Sequence, residues 1–165
     1  VGADSKRDWT LATYGEVRAT LGFLSPEAAE LVTSHLALES GFGGAKAAVH
    51  GHNLGNLTAG SSWTGPKWLD QAGDRDAHGK SIDQWWRIYP TVRDFLVDYW
   101  AFLGPCQNHG RYVLSRNHLE RARLGDFATT LRFAGYYELS GDLYTQRLRA
   151  IHDVVHLYLT PLGAA

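Results

Sequence analysis

Residues 36–44, LALESGFGG, place Glu39 at the end of an apolar helix-like run and follow it at once with Gly41, Gly43 and Gly44. At about 100° per residue from Ala28, Leu31, Val32, His35, Leu36 and Leu38 share one apolar arc with Glu39 near its centre, while Glu30, Thr33, Ser34 and Ser40 fall opposite. A carboxylate turned toward a core is costly when ionised and unpaired. On periodicity two readings stand open: Glu39 passes the core edge or pairs with an arginine, or it does chemistry. Apolar surroundings and the negative end of a helix dipole both disfavour the anion, so both raise the pKa toward what a general acid needs near neutral pH. The glycines leave open backbone that a ligand can approach closely.

Other residues of the right chemical type are less organised. His50 with His52, and His152 with His156 at i, i+4, have the look of metal ligands. The helical pair lacks the Glu that follows the first His of a zincin motif, and no third ligand is evident, so neither a metal nor a cofactor is expected. Cys106 is the single cysteine, which excludes an intrachain disulfide and any multi-Cys zinc site. Sixteen Lys and Arg against seventeen Asp and Glu give a net charge of -1, so no global field draws the chain to nucleic acid or an anionic membrane. No run of about 18 apolar residues reads as a transmembrane span. The absence of Met, including an initiator, points to a processed form or a domain excised from something longer.

The elements that must position these residues are mostly helical. At 165 residues and 44% hydrophobic content the chain reads as a single domain. Residues 8–21 carry loose helical periodicity, and Ser25, Pro26 and Glu27 mark a firm helix start for the run that ends at Glu39. Residues 41–66, rich in Gly, Ser, Asn and Thr, read as loop and short turns. Residues 62–90 set Trp63, Trp68, Trp85, Trp86, Ile88 and Tyr89 around a polar centre, DQAGDRDAHGKS, as in an irregular β-hairpin with a charged tip. Thr91 and Asp94 then have capping-box spacing before a helix with Val92, Phe95, Leu96, Tyr99 and Phe102 along its buried stripe. Segments 111–123, 125–134 and 142–159 complete the chain, the last with Leu148, Ile151, Val155 and Tyr158 on one face.

These residues carry a resemblance. LALESGFGGAKA resembles the ALESGWG signature of glycoside hydrolase family 73, the bacterial peptidoglycan-cleaving glucosaminidases. GHNLGNL at 51–57, SSWTG at 61–65, WRIYPTVRDFLVDYWAFL at 86–103 and FATTLRFAGYYELSGDLYTQRL at 127–148 match further family segments in order. The resemblance implies a mostly α, lysozyme-like fold with a helical lobe and a small β-hairpin lobe flanking a glycan cleft. It also implies hydrolysis of the peptidoglycan glycan strand after N-acetylglucosamine, outside the cytoplasm. N-acetylmuramidase action, lytic transglycosylase chemistry and a non-catalytic glycan-binding module are the alternatives. A scaffold of an envelope machine or an immunity protein is a conceivable partner.

Carried over residue by residue, the resemblance makes Glu39 the acid that protonates the leaving oxygen. In many family members a second carboxylate comes from the hairpin, which here offers Asp70, Asp74, Asp76 and Asp83; Asp74 and Asp76 come nearest the family's usual glutamate. Aspartate is one methylene shorter, and if neither reaches the cleft the substrate's own 2-acetamido group can assist. Tyr136 matches the tyrosine of the family's AGY element, whereas Tyr137 falls where a small residue is usual. Asn53 and Asn56 are candidates to hydrogen-bond acetamido groups or to tie the loop to the helical lobe, and Gly55 stands where the family has an aromatic. Trp63 and Tyr89 offer faces for sugar rings, with the core as the alternative for each.

Overall fold

The computed structural model describes residues 2–75, 80–137 and 140–163. Its element order is α1 (Ala3–Thr20), α2 (Pro26–Ser40), α3 (Lys46–Gly51), β1 (Lys67–Arg75), β2 (Ser81–Arg87), α4 (Val92–Phe102), a 3₁₀ turn (Asn108–Gly110), α5 (Val113–Glu120), α6 (Leu124–Phe133) and α7 (Gly141–Gly163). The helices form one lobe and the antiparallel β1–β2 hairpin the other, which is the lysozyme-like, mostly α arrangement expected.

α2 starts as its sequence predicts: Ser25 Oγ accepts from the Ala28 amide at 3.2 Å and Pro26 occupies the first turn, where no intrahelical donor is needed. The helix is not amphipathic in the way its wheel suggests. It packs against α1, α5 and α7, and Thr33, Ser34 and Ser40, expected opposite the core, are fully buried. Each hydroxyl donates to the carbonyl one turn back, Ala29, Glu30 and Leu36 respectively, so burial strands no polar group. α2 is thus the central helix, and its C-terminal turn holds Glu39 at the edge of the main core.

Four corrections concern the other elements. α3 lies within the stretch read as loop and turns; at six residues it is too short to show periodicity, and it is held by packing of Ala47 and Ala48. α1 begins five residues before the expected start, in a polar segment. α4 keeps its cap, with Thr91 Oγ1 accepting from the Asp94 amide, but Asp94 receives the Thr91 hydroxyl at 2.6 Å rather than the backbone amide of a full capping box. Along α7 the buried stripe is Tyr144, Leu148, Val155 and Leu159, with Tyr158 only partly covered.

The hairpin is rooted in the helical lobe through β2. Arg87, almost wholly buried, donates to the Thr58 carbonyl and to Asp98 of α4, and Asp98 also accepts from Tyr89 and Gln107. The Arg87 amide bonds Leu57, the Tyr89 amide bonds Gly51, and Thr58 bridges Trp86. His50 of α3 stacks on Trp68 of β1 at 4.3 Å. In the sheet, Trp68 opposes Trp86 and Asp70 opposes Gln84, but the next partner of β1 is Asp74, opposite Ile82. Four steps along β1 therefore match two along β2, so a bulge inserts two residues.

Candidate active site

The C-terminus of α2 is shaped around Glu39. Gly41 caps the helix in the left-handed region (φ +58°), Gly43 follows at φ +79°, and the Gly43 amide returns to Ser40 Oγ at 2.8 Å. A side chain at Gly43 would place its Cβ 2.5 Å from Trp9 Nε1, so this turn requires glycine for both conformation and space. Asn56 Nδ2 donates to the Glu39 carbonyl at 2.7 Å, satisfying an end-of-helix acceptor.

Glu39 lines a cavity of about 290 Å³ together with Gly55, Asn56, Thr58, Trp86, Tyr112 and Tyr136. Its side chain is 16% exposed. Burial pushes its pKa above the ordinary value of 4.5, and a hydrogen bond from Tyr144 partly opposes the shift. That bond, Tyr144 Oη to Glu39 Oε1 at 2.6 Å, is the closest polar contact the carboxyl makes among the described residues. Tyr144 is in turn fixed by Tyr137, whose ring stacks on it at 3.6 Å and whose hydroxyl donates to the Ala128 carbonyl.

Behind Glu39 lies His35, one turn back on α2 and wholly buried. Its Nδ1 is 2.8 Å from the Tyr99 hydroxyl and its Nε2 is 3.7 Å from Glu39 Oε1. Burial depresses the His35 pKa to about 3, so the ring is neutral. Burial also holds Tyr99 well above its usual range, so its hydroxyl keeps its proton, and it shares one hydrogen bond with the neutral ring at Nδ1. Nε2 has no hydrogen-bond partner, and 3.7 Å is too long to supply one.

Tyr136 joins Glu39 in this cavity. Its hydroxyl donates to the Gly55 carbonyl at 2.7 Å, and a Cβ at Gly55 would come within 3.3 Å of that hydroxyl and of Phe95. Asn56 also lines the cavity, at φ +51°. Trp86 and Asn56 continue the cleft into a second hollow of about 330 Å³ beside Lys46, Asp70, Ala72 and Gly73. Asp70 is buried and ion-paired to Lys46. Asp83 accepts from the Ala72 amide and holds the bulge. Asp74 is described through its backbone alone, at its register position opposite Ile82, and Asp76 lies outside the described residues.

Three expected sugar contacts are placed elsewhere. Asn53 is fully buried, its amide spent on the Leu57 and Arg87 carbonyls and the Leu57 N–H, so it braces the loop and the root of β2. Tyr89 is buried and donates to Asp98 at 2.6 Å, leaving no free face for a sugar. Trp63 packs edge-on against Tyr89 under the Arg87 guanidinium and lines a different hollow with Asp98 and Gln107. Sequence reasoning missed Tyr144 and Trp86. Tyr144 stands one turn before Leu148, so extending that stripe would have put it in the core; Trp86 alternates with Trp85 and could have been assigned to the opposite strand face. The helical histidine pair serves as a brace: His152 and His156 both face Glu30 Oε1, at 3.4 and 2.9 Å, joining α7 to α2. Among the described residues no group of three His, Cys, Asp or Glu is arranged to hold a metal, and no helix is long and apolar enough to cross a membrane.

Comparison with known proteins agrees with this geometry. The family model described as glucosaminidase, mannosyl-glycoprotein endo-beta-N-acetylglucosaminidase, matches residues 26–157. A solved structure of a peptidoglycan hydrolase mutant from Sphingomonas sp. A1 is similar at 21% identity, covering 93% of this chain and 98% of that one, with a TM-score of 0.72. A C-terminally truncated glycoside hydrolase domain of FlgJ from Salmonella typhimurium is similar at 19% identity, over 92% and 98%, with a TM-score of 0.63. No curated protein matches by sequence.

Proposed function

Because the chain belongs to the glucosaminidase family and is thereby a glycoside hydrolase, an endo-beta-N-acetylglucosaminidase, we propose that it cuts the β-1,4 glycan strand of peptidoglycan with Glu39 as general acid. The observation that carries this reading is Glu39 in the lining of the cavity, its mostly buried carboxyl raised in pKa by burial and set in position by Tyr144. A protonated carboxyl there can donate to the glycosidic oxygen as the bond to the anomeric carbon breaks and the leaving sugar departs as an alcohol. Tyr136, held by Gly55, walls the site beside it, and Asn56 and Trp86 offer a polar edge and an aromatic face to the sugars.

For the second group we favour Asp74. It is on a described strand, and its partner Ile82 alternates onto the same face of β2 as Gln84 and Trp86, the tryptophan that shares the Glu39 cavity. A carboxylate from the hairpin would activate water or stabilise the oxocarbenium ion opposite Glu39. This work belongs outside the cytoplasm, in the periplasm or cell wall, where the strand is found. The test is release of muropeptides from purified sacculi. Wild type is expected to yield N-acetylglucosamine reducing ends, and Glu39→Gln to yield none while remaining folded. Undiminished turnover by Glu39→Gln overturns the acid, and anhydromuramic or muramic ends overturn the bond assignment.

A further inference from the structure

We propose that the Lys46–Asp70 ion pair is a positioning device that fixes the strand register of Asp74, so that Lys46, outside the cavity of Glu39, controls turnover through the hairpin bulge. The inference rests on the reading of Asp74 as that carboxylate. Lys46 Nζ grips both Asp70 oxygens, at 2.9 and 3.3 Å. The two ends differ: the Lys46 side chain is 67% exposed and that of Asp70 is 10% exposed. A pair with its lysine in solvent is screened at that end and stabilises a fold less than a fully buried one. Its geometry says more than its energy, because it joins the helical lobe at α3 to the strand that bears Asp74.

The bulge begins at Asp70. Without it the residue opposite Ile82 would be Ala72; the two inserted residues put Asp74 there instead. At about 3.3 Å per strand residue, position 74 is drawn roughly 7 Å back along the hairpin toward the cleft. Two details hold this shape. Ala72 adopts φ +53° and gives its amide to Asp83. At Gly73 a Cβ would fall 2.5 Å from Asp70 Cγ and 2.7 Å from Oδ2, so the bulge folds directly onto the carboxyl that Lys46 grips. Release of Asp70 removes the fixed point over which the bulge is folded, and with it the register of Asp74 relative to Trp86 and Glu39.

A device that acts through Asp74 has a signature that a stability or binding role lacks. Turnover of a soluble glycan would be measured for Lys46→Met, Lys46→Arg, Asp74→Asn and the Lys46→Met/Asp74→Asn double variant, with thermal melting alongside. Lys46→Met is expected to lower kcat at least tenfold, a larger effect than any rise in KM from losing a residue that borders the second hollow, with the protein still folded at the assay temperature. Lys46→Arg should retain most of kcat, and the double variant should be no slower than Asp74→Asn alone. Losses that multiply in the double variant, a change confined to KM, or wild-type kcat in Lys46→Met each overturn the proposal. Full activity of Asp74→Asn also overturns it while leaving Glu39, tested by its own variant, untouched.

Discussion

Tyr144 donates a 2.6 Å hydrogen bond to Glu39 Oε1 across 105 residues of sequence, joining the first turn of α7 to the last of α2. The bond favours the carboxylate, and so works against the burial that raises the Glu39 pKa. Tyr144→Phe removes the opposing contribution and leaves the burial. The Glu39 pKa then rises further, and a general acid stays protonated to higher pH. The basic limb of the pH profile of kcat/KM is expected to move upward, while kcat falls roughly tenfold because the carboxyl loses its anchor. An unmoved limb would show that the limb belongs to another group.

The same carboxyl should weaken the fold. Its folded-state pKa lies above the ordinary 4.5, so the native state binds the proton more tightly than the unfolded chain, and stability falls as pH rises from about 4.5 through the folded pKa. Glu39→Gln keeps the shape and an acceptor for Tyr144 but cannot ionise. Its melting midpoint is expected to exceed that of wild type at pH 7 by roughly 2–4 °C and to converge with it near pH 4. Equal midpoints across this range would mean that the carboxylate is better solvated than its burial implies.

His35 acts in the opposite direction. With its pKa depressed from 6.5 to about 3, the unfolded chain takes up a proton that the native state refuses. The stability contributed is therefore fully present above pH 6.5 and is lost as pH falls toward 3. His35→Gln retains a partner for the Tyr99 hydroxyl and cannot titrate. Its unfolding free energy, measured by denaturant titration against pH, should decline less than that of wild type between pH 6.5 and 4. A parallel decline would place the acid sensitivity on other groups.

How far the site was legible depended on the range of the contacts that build it. Glu39 could be found because its signal is local: a capped helix, an apolar arc and three following glycines. Tyr144 could not, because nothing near position 144 records a partner 105 residues away. The polar face of α2 misled for a different reason: Thr33, Ser34 and Ser40 satisfy themselves on the preceding turn, so hydroxyls that look solvent-directed on a wheel can be buried. Asn53 and Tyr89 have the chemistry of sugar contacts, but their hydrogen-bonding capacity is consumed by the root of the hairpin. The bulge, which depends on a pairing register, has no sequence signature beyond Gly73.

Trp86 tests whether the cleft is read along its whole length. It borders both the Glu39 cavity and the hollow beside Lys46 and Asp70, so a sugar ring crossing between them passes its face. Its neighbour Trp85 points to the other face of β2, under Lys67, and serves as the control. Removing an aromatic platform forfeits apolar contact made equally by bound substrate and transition state, which raises KM more than it lowers kcat. Trp86→Ala is therefore expected to raise KM for a soluble glycan roughly tenfold, equivalent to about 1.4 kcal/mol, with kcat changed much less. Trp85→Ala should leave both near wild type. The reverse pattern would move the glycan to the outer face of the hairpin and away from Glu39.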